Sequence, residues 1–125
     1  MHGKKEDIPV AFEAGPAYSR DVEWGDMNIA FEAFPAGLDT TPLFKGLPDD
    51  RCQCPHWGYL FKGRMRVKYP NHDEILTAGD AYYLVPGHIT VIEEDCELVE
   101  FSPKGEYQKT MEVAARNMAA MPQAG

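Results

Sequence analysis

Cysteine is scarce: the chain has three in 125 residues, and two of them, Cys52 and Cys54, are one position apart. An odd count with that spacing argues against a disulfide framework. It leaves reduced thiols, as ligands or as core residues. Basic residues are also in deficit, 12 Lys and Arg against 20 Asp and Glu, for a formal charge of −8. A net anion is not drawn to nucleic acid or to anionic membrane surfaces, so neither is an expected partner. No apolar run approaches a membrane span, and the N-terminal MHGKKED lacks the apolar segment of a secretory signal. A cytoplasmic location is the expectation. There is no phosphate loop, no G-x-G-x-x-G, no G-x-S-x-G and no H-E-x-x-H, which removes the common nucleotide, serine-hydrolase and zincin signatures. What remains is a chain whose 44% apolar content argues against disorder and whose length suits one domain with a real core.

The patterning that is present is that of short strands. Residues 1–16 read as an N-terminal arm, 17–104 as a barrel and 105–125 as a C-terminal helix and tail. Ala17–Trp24 and Met27–Phe34 alternate about Gly25-Asp26 and read as a hairpin. Leu38–Asp50 is a long irregular connection, with Pro42 and Pro48 inside it. WGYLFKG then reads as a strand ending at Gly63. RMRVKY follows as another, with Arg64, Arg66 and Lys68 on one face and Met65, Val67 and Tyr69 on the other. The turn PNHD leaves His72 in solvent, and His2 belongs to the solvated terminus. Glu74–Thr77 returns, and the apolar AYYLV follows Ala78-Gly79-Asp80. ITVIEE and CELVEFSP read as two strands turning at Glu94-Asp95. Turn signals about every ten residues indicate an all-β antiparallel sandwich or barrel. From Glu106 to Met121 the period becomes helical, and Met111, Met118 and Met121 form a stripe expected to pack.

The stretch CQCPHWGYLFKG concentrates the chemistry. In an extended chain Cys52, Cys54 and His56, at every second position, point the same way. A thiolate and an imidazole together suit zinc, although C-x-C-x-H is tighter than the usual structural pair of cysteines. The competing reading is that the thiols fill the core as small apolar residues. His88 follows Pro86-Gly87 at a strand start, where a barrel rim would lie. Cys96 is expected to pack. Glu97 and Glu100 each read singly as part of a solvated outer face, and the competing reading is that one projects into a pocket and handles a proton. Tyr59, Tyr82 and Tyr83 are amphipathic, and one of them can bond a ligand. Tyr59, Tyr83 and Glu100 are the catalytic candidates.

Over Met27–Pro103 the chain resembles a small single-domain cupin, an antiparallel double-stranded β-helix or jelly-roll barrel. Gly63 matches the closing glycine of the first cupin motif, and Gly79 and Gly87 match glycines of the second, in GDAYYLVPGH. CPHWGYLFKG…GDAYYLVPGH also resembles a subgroup of bacterial cupin-domain proteins without a settled activity. The ligand pattern departs from the family's. Counted back from Gly63, His56 falls on the motif glutamate, and the motif histidines fall on Asp50 and Cys52, or on Asp49 and Arg51 with the longer spacing. In the second motif Val85 stands at the proline position, Thr90 at the histidine position and Glu94 at the asparagine position. His88 lies two residues before Thr90, on the same side of a strand. The resemblance therefore implies a divalent-metal set of His56, His88 and Cys52 or Cys54, with zinc favoured over iron. The expected activity is that of an isomerase, lyase or hydrolase on a small organic molecule. The alternative is a non-catalytic binding or thiol redox-sensing module. A homodimer is the expected assembly.

Overall fold

Alternation of apolar and polar residues produces seven strands, which join in one antiparallel sheet that folds over on itself. The computed structural model describes residues 1–121. The strands are β1 (Val10–Ala14), β2 (Ala17–Trp24), β3 (Met27–Phe34), β4 (His56–Lys68), β5 (Asp73–Thr77), β6 (Ala81–Leu84) and β7 (Ile89–Pro103), followed by helix α1 (Lys104–Ala120). The strand order is β1-β2-β3-β7-β4-β5, with β6 also paired to β4. Two long strands close the fold. The first half of β4 pairs with β6 and its second half with β5, while β7 runs beside both halves. Among the described residues no helix is long and apolar enough to cross a membrane.

The core lies where these halves face each other. Leu60, Met65, Val67, Leu84, Ile92, Cys96 and Leu98 are buried in one cluster, with Phe34, Leu38 and Tyr69 packed against it. Each such aliphatic side chain contributes roughly 1.5–3 kcal/mol by leaving water. The alternation in RMRVKY is resolved as expected: Met65 and Val67 point in, and Arg64 and Arg66 lie outside, where both bond the Glu93 carboxylate. Cys96 is a core residue, as expected.

Several expectations are corrected. Val10–Ala14, read as part of an arm, forms an edge strand against β2, and Ile8 before it is buried. Gly63 does not end a strand, and Glu94-Asp95 is not a hairpin turn. β4 and β7 run continuously through those points, and the β4–β7 register shifts between Leu60 and Met65. These are bulges, which use the same residue types as turns. The methionine stripe of α1 is exposed at Met111, Met118 and Met121. The buried residues of the helix are Thr110 and Ala114. The helix is instead fastened through polar contacts: Asn117 Nδ2 donates to the Leu43 and Lys45 carbonyls, both at 2.8 Å. Residues 122–125 of the expected tail lie outside the described residues.

Gly63 has φ +98°, and a Cβ there would collide with the backbone carbonyl of Asp95 and press on Cys96 Sγ. Gly79 has the same φ in open space. Gly79→Ala is therefore expected to cost about 1 kcal/mol from backbone strain alone. Gly63→Ala should cost roughly 3 kcal/mol or more, because strain and overlap add. Urea unfolding midpoints of the two variants compare them, and equal losses would contradict this account of the bulge.

Candidate metal centre

A backbone pairing assembles the site. The irregular connection before β4 ends in a single bridge between Cys52 and His88. The Cys52 N–H donates to the His88 carbonyl at 3.1 Å, and the Gly87 N–H donates to the Cys52 carbonyl at 2.8 Å. His56 opens β4 four residues later. Cys52, His56 and His88 are all buried, and one ligand atom from each lies within 4.8 Å of the other two. Cys52 Sγ is 3.6 Å from His56 Nε2, and the two rings meet edge to face at 5.2 Å.

Both rings are held from behind. The His88 Nδ1–H donates to the Val85 carbonyl at 2.7 Å, which leaves Nε2 unprotonated. His56 Nδ1 shares a 2.6 Å hydrogen bond with Ser102 Oγ and lies 3.6 Å from Glu100 Oε1, so its Nε2 faces the thiol. Such outer partners fix ring orientation in metal sites. Thr110 of α1 is also buried. A thiol and two imidazoles fit a borderline-soft divalent ion, and three protein ligands leave a position open.

Cys54 is buried but stands outside this group. Its Sγ turns to the Pro55 carbonyl at 3.4 Å. The alternation that would have aligned it with Cys52 requires an extended strand, and residues 53–55 form none before β4 begins. Tyr59 and Tyr83 are likewise separated from the site. They lie half exposed on the outer face of the sheet, Tyr83 stacked on Trp57 and Tyr59 edge-on to Phe61. Glu100 does face inward. The interior tyrosine is Tyr82, whose hydroxyl donates to Glu100 Oε2 at 2.7 Å. Gly58 makes room for it, because a Cβ there would run into the Tyr82 ring. AYYLV is apolar at every position, so no alternation told Tyr82 from Tyr83. Ser102 and Glu32 were also not singled out. Both share the face of Glu100 by strand parity, which is the signal that would have found them.

Burial governs the protonation of every group in this interior. It pushes His56 down to about 4 and, with the neighbouring His56 adding to it, His88 down to about 4. It pushes the Cys52 and Cys54 thiols up to about 12. Glu100 is raised by burial, against the opposing hydrogen bond from Tyr82. Glu32 is raised well above the usual range by burial, then by Glu100 and Asp21. Burial therefore keeps the imidazoles neutral and the thiols protonated at neutral pH, and it shifts both carboxyls toward their neutral form.

The comparisons with known proteins agree with this architecture. No protein-family model matches the chain, and no curated protein matches it in sequence. Solved structures do. An RmlC-like cupin from Shewanella frigidimarina is similar over 81% of this chain and 88% of its own, with TM-score 0.58 and 16% identity. The polyketide cyclase RemF from Streptomyces resistomycificus is similar over 82% of this chain and 78% of its own, with TM-score 0.59 and 15% identity. KdgF from a Halomonas species is similar over 80% of this chain and 90% of its own, with TM-score 0.54 and 18% identity. The chain thus has the cupin fold: an antiparallel β barrel with one C-terminal helix. Inside it is a buried Cys-His-His cluster with the chemistry of a metal site.

The two histidines set an acid limit on the metal-free protein. An unfolded histidine titrates near pH 6.5 and the folded ones near 4, so above pH 6.5 both states are neutral and stability is complete. Below pH 6.5 the unfolded chain takes up protons that the folded chain refuses. Stability should therefore fall by several kcal/mol, in order of magnitude, between about pH 6.5 and 4. Urea midpoints of chelated protein across that range measure it, and His88→Gln should flatten the profile. A profile already flat in the unaltered chain would contradict neutral buried histidines.

Proposed function

We propose that this protein is a metal-dependent enzyme acting on a small organic molecule within the barrel, as an isomerase, lyase or hydrolase. The metal is a divalent cation, zinc in preference to iron, held by Cys52, His56 and His88. The observation that carries this reading is the convergence of three buried donor atoms, with the far nitrogen of each ring already engaged by Val85 or Ser102. A core filled for packing alone has no reason to bury two imidazoles in one place and orient each from behind. The sulfur in the donor set favours zinc over iron.

When bound, a divalent cation supplies Lewis-acid polarisation of a carbonyl or a lowered pKa for water. The chain's own residues supply the rest. Glu100, protonated more readily than an exposed glutamate and bonded to Tyr82, is placed to hold or donate a proton beside His56. Ser102 and Glu100 together orient the His56 ring. Thiol sensing has less support. Burial holds both Cys52 and Cys54 away from the thiolate form that oxidation requires. The likeness to the CPHWGY…GDAYYLVPGH subgroup belongs to this proposal as well, and it adds no reaction.

The assembly proposed is a homodimer through the outer face of the sheet. Trp57, Tyr59 and Phe61 on β4, Tyr83 on β6 and Phe101 on β7 are all exposed there, and Trp57 is register partner to both Tyr83 and Phe101. A contiguous aromatic patch of this kind is what protein interfaces bury. Light scattering is expected to give twice the chain mass, and Trp57→Ser with Phe61→Ser should reduce it to one chain. A monomer before mutation would overturn this assembly.

The metal reading is tested by elemental analysis of protein purified without chelators. About one zinc per chain is expected, lost in His56→Ala with His88→Ala and in Cys52→Ser, and kept in Cys54→Ser. Because the histidines are neutral and the Cys52 thiol is protonated before loading, loading at pH 7 should release about one proton per metal. The dependence of binding heat on buffer ionisation measures it. Protein that neither carries zinc nor takes it up would end the proposal.

A further inference from the structure

The irregular connection before β4 stands on the start of β7 with both feet. At the first foot, Thr40 Oγ1 donates to the Thr90 carbonyl at 2.8 Å and accepts from the Thr90 N–H at 3.0 Å. At the second, Cys52 makes its two backbone bonds to His88 and Gly87. Arg51 beside it donates to the Lys68 and Gly87 carbonyls at 3.0 and 3.3 Å. Because the feet meet neighbouring positions, residues 41–50 between them form a closed surface loop, a kind that often carries function. The second foot is itself a member of the Cys-His-His cluster and rests on another member.

Between its feet the loop is weakly held. None of residues 41–50 is buried. Asp49 and Asp50 take left-handed backbone, at φ 58° and 54°, which disfavours residues other than glycine. Among the described residues, every hydrogen bond made by 41–50 stays within residues 39–53, apart from two. Those two come from Asn117 of α1, whose Nδ2 donates to the Leu43 and Lys45 carbonyls, each at 2.8 Å. The helix also packs on the Thr41–Phe44 turn more than on any strand.

We infer that residues 41–50 are a strap latched by Asn117, and that Asn117 is thereby a positioning residue for the metal centre. Latched, the strap leaves the Cys52 foot undisturbed. Released, it gains conformational freedom that works on its feet. The Cys52 foot is a single bridge outside any strand, so that is where the thiol parts from the two histidines. The coupling is reciprocal: a metal held by the thiol also steadies the strap. The inference rests on the proposed function in one respect, in taking Cys52, His56 and His88 as the ligands.

Asn117→Ala tests it, because alanine is the best helix former and keeps α1 while both bonds are lost. The full chain is chelated and reloaded with cobalt, whose bond to a thiolate has its own absorption and reports Cys52. With excess chelator, that absorption is expected to decay about fivefold faster or more in the variant, a factor within reach of two net hydrogen bonds. Hydrogen exchange at the Leu47, Asp50 and Arg51 amides, each bonded within the loop, should quicken in the variant and slow when cobalt is bound. Arg116→Ala, exposed one position away, should change neither rate. Unchanged exchange in Asn117→Ala overturns the inference, and so does an Arg116→Ala that matches it. Cobalt bound but released at equal rates sinks the positioning role and spares the metal reading. A chain that takes up no cobalt ends the metal reading, and quickened exchange in Asn117→Ala then leaves the latched strap standing without it.

Discussion

The exchange of backbone hydrogen bonds between Cys52 and His88 ties the end of a long irregular connection to the start of β7. Without it the thiol would have no fixed relation to either histidine, since Cys52 lies outside the regular strands. With it, a residue from a loop, one from the first position of β4 and one from just before β7 are brought to a common point. The bridge also explains the Pro86-Gly87 step. Gly87 donates the second bond, at a backbone φ of +98° that directs its N–H toward the Cys52 carbonyl. The site is therefore a property of pairing, and the side chains come together because the backbone has already done so.

Around that point the barrel spends its interior unevenly. One end is filled by aliphatic residues, Leu60, Leu84, Ile92 and Leu98 among them, and contributes most of the burial that holds the fold. The other end holds Asn28, Glu32, Glu100, Ser102 and His56 on one inner surface, with Tyr82 laid across Gly58 to reach Glu100. A polar end of this kind reduces stability, because each group gives up water and regains only part of what it loses. Proteins retain such groups where a ligand or a reaction uses them.

Much of the fold was legible in the sequence, for reasons that also explain the failures. The β2–β3 hairpin could be read to the residue because alternation and the Gly25-Asp26 turn agree. Gly63 and Glu94-Asp95 could not be assigned, since a bulge and a turn both call for glycine or short polar residues. Only the partner strand decides between them, and here Asp95 lies against Gly63. The pairing of His56 with His88 was visible as two histidines at plausible strand positions, one entering β4 and one at the start of β7. The choice between Cys52 and Cys54 was not, because strand parity fails in the three residues before β4. Tyr82 was hidden for the opposite reason: a run apolar at every position carries no parity at all, and its facing is set by register with Gly58.

The direction of the interior's protonation gives the site its sense. Each titratable group there is driven by burial toward its neutral form: imidazole, thiol and carboxylic acid. Neutrality has different consequences for the different groups. The Cys52 thiol becomes an anion by losing a proton, and positive charge beside it favours that loss. The imidazoles have spent their protons on neighbours behind them and offer lone pairs to the interior. Few inward-facing groups could become cationic to meet an anion, and those that could, the histidines, resist it most strongly. An interior built this way answers to positive charge. The same physical bias thus favours a divalent ion at Cys52, His56 and His88.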